Sequence, residues 1–256
     1  MLFKCSHSNQ DYSAFFPEKT YPAYLTALTI QDLVKNIKEP IVLEPGCGLG
    51  IDLFFLADMN IKSVGVEISQ KALDFARTLQ DEFVSANRSR NITLVRDNFH
   101  HFSYNTKFDV VYNSGVLEHF SKNGQKDFIK LMKYHSSKWV MIMVPNTKSL
   151  VYRKFINQMK KQSRNYSQRH RPINVEHLFR EVGIKLLRRT GRNLWLSNYH
   201  PINIELKSVY KDHFKWFEDV NEFNKKTVIK LAREERKISD EFLFNYAFTK
   251  VYIGSV

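Results

Sequence analysis

Cysteine is scarce in this chain of 256 residues, where Cys5 and Cys47 are the only two. Two thiols so far apart make neither a disulfide framework nor a metal-ligand spacing, so no metal is expected and a reducing, cytoplasmic location is. Long apolar runs are missing as well. The longest, such as residues 139–144, fall far short of the ~18 residues that a membrane span requires. Residues 1–10 hold one lysine among polar residues and lack the apolar stretch of a secretory leader. Neither an internal repeat nor a low-complexity linker interrupts the chain, so one domain over 1–256 is expected rather than two small ones. An apolar fraction of 43% and a charged fraction of 25% are ordinary for a globular protein.

Acidic residues are in short supply at one place. Residues 1–145 carry 16 Lys+Arg against 15 Asp+Glu, and residues 201–256 carry 10 against 9. Between 146 and 200 there are 13 Lys+Arg against only Glu176 and Glu181, so this stretch holds nearly all of the net charge of +13. A concentrated basic patch is a statement about partners rather than about solubility.

What is present is an alternation. Helical spacing over residues 23–37 follows an irregular aromatic arm. Apolar strands are then expected at 41–44, 62–67, 92–96, 108–112 and 139–144, with helices at 51–60, 70–83 and 125–135 between them. Such alternation implies βαβ units and a mostly parallel, doubly wound sheet whose functional loops gather along one edge. Beyond Pro145 the pattern loosens: a helix and loop inserted at 146–171, a helix at 174–182 stopped by Gly183, a strand at 184–187, a charged helical stretch at 203–239 and a last strand at 242–253. The expected division is an arm and helix at 1–40, a core at 41–145, and a substrate-side insertion with the last helices and strands at 146–256.

The sharpest chemical signal is Glu44-Pro45-Gly46-Cys47-Gly48-Leu49-Gly50. A buried strand ends in an acid, and three glycines at alternate positions open the next helix, where a Cβ would collide with a closely bound ligand. A nicotinamide-binding turn starting at Gly46 would need Gly or Ala at position 51, which is Ile51. No Gly-Lys-Ser/Thr follows, so a phosphate-binding P-loop is excluded too. The second strand ends at Glu67, 23 residues beyond Glu44, where a carboxylate can accept from both hydroxyls of a ribose.

The segment resembles the first motif of the class I, Rossmann-like methyltransferases, Glu/Asp-x-Gly-x-Gly-x-Gly, and matches it in full. The resemblance implies S-adenosylmethionine as cofactor and a seven-stranded sheet of order 3-2-1-4-5-7-6 with its last strand antiparallel, joined by a helical, basic insertion or lid. Glu44, Gly46, Cys47, Gly48 and Gly50 would line the methionine portion, and Glu67 and Ile68 the ribose side. Asp97, Asn98 and Phe99 would surround the adenine. Asn113, Ser114 and Gly115 would pass the sulfonium, and His119, in Val116-Leu117-Glu118-His119, would serve as the general base. The implied reaction is an in-line displacement of the methyl group by a nucleophile on a small acceptor.

The basic segment interleaves cations with Tyr152, Phe155, Tyr166, Phe179, Trp195 and Tyr199. It is compatible with a lid over an anionic small molecule, with RNA methylation by backbone cations and stacking aromatics, with anionic lipid headgroups, or with a merely solvated surface. No Asn/Asp-Pro-Pro-Tyr/Phe segment follows the fourth strand, which favours a small-molecule acceptor over nucleic acid. A domain that binds the cofactor without turning it over is the remaining alternative.

Overall fold

The computed structural model describes residues 16–162, 170–194 and 225–256. Its order is α1 (Phe16–Val34), β1 (Ile41–Pro45), α2 (Ile51–Asp58), β2 (Lys62–Glu67), α3 (Gln70–Phe83), α4 (Ala86–Ser89), β3 (Ile92–Arg96) and β4 (Phe108–Ser114), then a 3-10 turn (Leu117–His119). There follow α5 (Lys122–His135), β5 (Ser136–Pro145), α6 (Leu150–Gln162), α7 (Val175–Val182), β6 (Lys185–Arg192), α8 (Lys225–Glu235), α9 (Asp240–Tyr246) and β7 (Thr249–Ser255). The strands form one seven-stranded sheet of order β3-β2-β1-β4-β5-β7-β6. The β1–β2, β1–β4, β2–β3 and β4–β5 pairs are parallel, and β7 is antiparallel to both β5 and β6. The expected fold class and strand order are those of the structure.

Alternation of side chains along each strand explains the two covered faces. On one face Val42, Val110, Tyr112, Met141, Met143, Val251 and Ile253 meet Leu53, Leu56 and Ala57 of α2 and Ala27 and Ile30 of α1. On the other, their neighbours Leu43, Val111, Val140, Ile142 and Tyr252 meet Phe128, Ile129 and Met132 of α5 and Leu178 and Phe179 of α7. A third cluster joins Tyr21, Leu25 and Leu28 of α1 to Val228 and Leu231 of α8 and Leu243 of α9. Each fully buried aliphatic or aromatic side chain contributes about 1.5–3 kcal/mol, so the apolar faces hold the layers on the sheet.

Several boundaries differ from expectation. The first helix begins at Phe16 and carries Pro22 within it. The strand expected at 184–187 extends as Lys185–Arg192. The stretch expected as the last strand is divided: Ser239 caps α9 through the amide of Phe242, with Asp240 and Glu241 in its first turn, and β7 starts only at Thr249. An acidic first turn and a serine cap stabilise a helix start, which outweighed the β-leaning apolar residues there. Residues 203–224 of the expected helical stretch lie outside the described residues, as do 163–169 of the insertion. No described helix is long and apolar enough to cross a membrane.

Candidate functional site

Parallel strands that all end on one side bring β1, β2 and β4 to a common edge, and the site is assembled from the turns that follow them. The first turn is bent by glycine. Gly46, Gly48 and Gly50 have φ of +73°, +55° and +69°. A Cβ on Gly46 would lie 2.6 Å from Val116 Cγ2, so the turn after β1 packs directly on the turn after β4. A Cβ on Gly48 would meet nothing within 4 Å. The backbone is thus exposed to open space at Gly48, and a ligand can pass close over it.

Glu67 closes this crevice from β2. Its Oε2 accepts from the Gly48 amide at 3.1 Å and its Oε1 from the Ser69 amide at 2.9 Å. A carboxylate oxygen has a second lone pair, so both remain able to accept a ribose hydroxyl. Ile68, the next residue, is 65% exposed, an apolar side chain held in the open beside the carboxylate. Asp97 hydrogen-bonds by its amide to the Glu67 carbonyl, and its own carboxylate accepts from the Asn98 amide at 2.7 Å. Asn98 in turn accepts from the His100 amide. The ends of β2 and β3 thus hold Glu67, Asp97 and Asn98 next to one another.

The Phe99 and Cys47 side chains are buried. Phe99 is buried among Phe102, Phe128 and His135, with its ring edge-on to Phe128 at 5.3 Å. Its apolar surface is committed to the core. Cys47 is buried against β2, since a Cβ on Gly65 would lie 2.7 Å from its Sγ. Burial pushes its thiol well above the ordinary range, so the sulfur is unreactive at neutral pH.

Glu44 does not stand alone. It is buried and its Oε2 accepts from Tyr112 Oη at 2.7 Å. Burial, with Asp52 nearby, raises its carboxyl well above the usual range. Asp52 is raised as well, by burial, and Arg192 opposes that rise. Arg192 comes from the end of β6, is 7% exposed, and donates to Ser114 Oγ at 2.8 Å and to the Pro22 carbonyl at 3.2 Å. Asn113, also buried, donates to the Pro45 carbonyl at 2.8 Å. The ends of β1, β4 and β6 are therefore cross-linked by polar side chains around one buried cation. Tyr112 and Arg192 went unnoticed in the sequence. Arg192 was counted with the basic stretch, and nothing local marks it as interior.

That stretch is also less free than its charge implies. Arg188 makes two hydrogen bonds to Asp240, at 2.7 and 2.6 Å, and Arg189 pairs with Glu176 at 3.1 Å. Lys148, Arg153, Lys160, Lys161 and Arg171 remain exposed.

The 3-10 turn after β4 carries Glu118 and His119. Gly115 has φ +74°, and Glu118 Oε1 lies 3.8 Å from where its Cβ would be. Burial pushes the Glu118 carboxyl up to about 7. His119 is exposed, and partial burial lowers its proton affinity while a hydrogen bond to the Gly115 carbonyl opposes that. His170, in the segment before α7, joins them, its ring nearly perpendicular to that of His119 with centroids 5.7 Å apart. Glu118, His119 and His170 each offer a ligand atom within 4.8 Å of the others. His170 could not have been found by spacing, being 51 residues from His119.

Comparison with known proteins agrees with this fold. Residues 42–136 match a family model described as a methyltransferase domain. No curated protein matches in sequence. Among solved structures, the chain is similar to magnesium protoporphyrin IX methyltransferase from Synechocystis PCC 6803 with bound S-adenosylhomocysteine. That likeness has 12% identity and a TM-score of 0.56, covering 96% of this chain and 88% of the other. The plantazolicin methyltransferase BpumL, also with S-adenosylhomocysteine, gives 13% identity and a TM-score of 0.57 over 95% and 86%. The methyltransferase domain of bacterial CtHen1 gives 14% and 0.55 over 92% and 100%.

Proposed function

We propose that the chain is a class I, Rossmann-like methyltransferase that uses S-adenosylmethionine, on the strength of the family match over residues 42–136 and the fold shared with solved methyltransferases, and that it methylates a small, anionic acceptor held over the turn that follows β4. The observation that carries this reading is the hydrogen bond from Gly48 to Glu67, which joins the two motif segments in one crevice. S-adenosylmethionine supplies a methyl group already activated on a sulfonium. The protein supplies position, and holding two reactants in line is worth up to ~7–11 kcal/mol of barrier.

In this reading the open backbone at Gly48 lies under the methionine portion, and Glu67 and Ile68 hold the ribose. Asp97 and Asn98 reach the adenine edge, while Phe99 supports that loop from the core. Arg192 and Glu44 stand beneath the amino-acid end and fix Ser114 and Tyr112. Gly115 and Val116 pass the reacting centre, and the acceptor's nucleophile meets Glu118, His119 and His170. His119 is the proton acceptor when that nucleophile starts protonated. The exposed cations Lys148, Arg153 and Arg171 favour acceptors bearing carboxylate or phosphate. A free, buried Cys47 thiol suits a reducing cytoplasm.

The test is to incubate the protein with methyl-labelled S-adenosylmethionine and separated fractions of a cell extract. Label entering an anionic small-molecule fraction is the expected result. Label entering RNA, with RNA binding that falls steeply as salt rises, would replace this reading with the nucleic-acid one. Binding of S-adenosylhomocysteine with no transfer to any fraction would leave a binding module.

A further inference from the structure

Glu118 and His170 each bury a polar atom that has no hydrogen-bond partner among the described residues, Glu118 Oε2 and His170 Nε2. Leaving such atoms unpaired costs about 1–3 kcal/mol each. Both belong to the three-residue group whose donor atoms lie within 4.8 Å of one another, so one ion between them would satisfy both. The rings are also braced from behind. Tyr152 Oη and His170 Nδ1 are 2.8 Å apart, and His119 is hydrogen-bonded to the Gly115 carbonyl. Oxygen partners behind imidazoles fix ring orientation and tautomer, the support that metal-binding histidines need. In the tautomer whose Nδ1–H donates to Tyr152, the Nε2 lone pair of His170 is free to bind an ion.

We propose that Glu118, His119 and His170 bind one divalent cation of the first transition series. Two imidazoles and a carboxylate suit Zn2+, Mn2+ or Fe2+ and leave coordination positions open, whereas Mg2+ and Ca2+ favour oxygen ligands throughout. Ligand distances of ~2.0–2.2 Å put donors about 3–3.5 Å apart, so binding would draw the three side chains together by small rotations.

The site deepens the methyl-transfer reading and rests on it. Val116, two residues before Glu118, touches Gly46 of the glycine turn, so the cation would sit beside the reacting centre with its open positions available to the acceptor. The acceptor class narrows accordingly to molecules that present a hydroxyl or carboxylate oxygen as a ligand. In the transfer, the acceptor hydroxyl loses its proton to solvent and its oxygen pair forms the bond to the methyl carbon. Sulfur keeps the pair of the broken S–C bond. A bound cation eases loss of that proton at neutral pH. With the ion in place His119 is a ligand, and proton acceptance no longer falls to it.

Protein stripped with a chelator would be titrated with Zn2+ by calorimetry and with Mn2+ by electron paramagnetic resonance. S-adenosylhomocysteine affinity would be measured in parallel. One equivalent of cation should bind. Affinity should fall at least about tenfold in Glu118→Gln and His170→Gln, and ~10–100-fold in Tyr152→Phe, which keeps all three ligands. S-adenosylhomocysteine affinity should stay within about twofold of wild type in all three variants. No stoichiometric binding of either cation to the wild-type protein, or undiminished binding in both folded ligand variants, overturns the site. If S-adenosylhomocysteine still binds in that event, the methyltransferase reading stands without it. Intact cation binding with no nucleoside binding would support the site and count against the earlier reading.

Discussion

The Gly48 amide lies 3.1 Å from Glu67 Oε2 and donates to it, so residues 19 positions apart join the ends of β1 and β2. The bond uses one lone pair of the carboxylate and aims the group across the glycine turn. Replacing Glu67 by Ala removes a charged acceptor worth about 1.5–3 kcal/mol per bond. The expected result is a ~10–100-fold loss of S-adenosylhomocysteine affinity by calorimetry, with the urea unfolding midpoint lowered as well because the Gly48 and Ser69 amides lose their acceptor.

Gly46 is constrained twice, by its φ of +73° and by a Cβ position 2.6 Å from Val116 Cγ2. Gly46→Ala should destabilise the fold by about 1–3 kcal/mol. Val116→Ala in the same chain should recover the steric part and not the backbone part, and a double-mutant cycle read by urea denaturation would show that coupling.

Arg192 is a buried cation facing the raised carboxyls Glu44 and Asp52. Arg192→Met leaves those acids without it, and breaking a buried arrangement of this kind costs about 3–5 kcal/mol. Without the cation both carboxyls hold their protons to still higher pH in the native state. The stability deficit of the variant should therefore widen as pH rises from 5 to 8, which unfolding midpoints at the two pH values would reveal.

Glu235 supplies a second pH dependence. Its carboxylate is buried and accepts from Tyr21 and from the amides of Asn193 and Leu194. Burial nevertheless pushes it up to about 7, from an ordinary value of 4.5. Between those values the native state holds a proton that the unfolded chain has released. Its contribution to stability is greatest below 4.5 and falls as pH rises through 7. Glu235→Gln should flatten that slope in urea titrations at pH 5, 6 and 7.5. The variant should also be less stable throughout, because one amide oxygen cannot replace two carboxylate oxygens.

Legibility in the sequence followed the range of the interactions. β2 and α3 have the expected bounds because their signals are local: a run closed by Glu67, and a serine cap at Ser69 before an apolar stripe. The glycine turn and Glu67 were legible for the same reason. The strand expected at 242–253 was misread because Phe242 and Leu243 suit a helix or a strand equally, and the cap at Ser239 decides. The contacts of Tyr112, Arg192, Glu235 and His170 were not legible in the sequence. These contacts span roughly 40 to 214 positions, and only the sheet order brings them about. Phe99 is expected beside the cofactor together with Asp97 and Asn98, whereas its ring packs into the core against Phe128.

The most direct test is a crystal structure of the protein with S-adenosylhomocysteine. The expected density places both ribose hydroxyls on the Glu67 carboxylate and the homocysteine chain across Gly46 to Gly50, with the sulfur directed toward Val116 and Glu118. A nucleoside found elsewhere on the molecule, or no bound nucleoside at saturating concentration, would contradict the account.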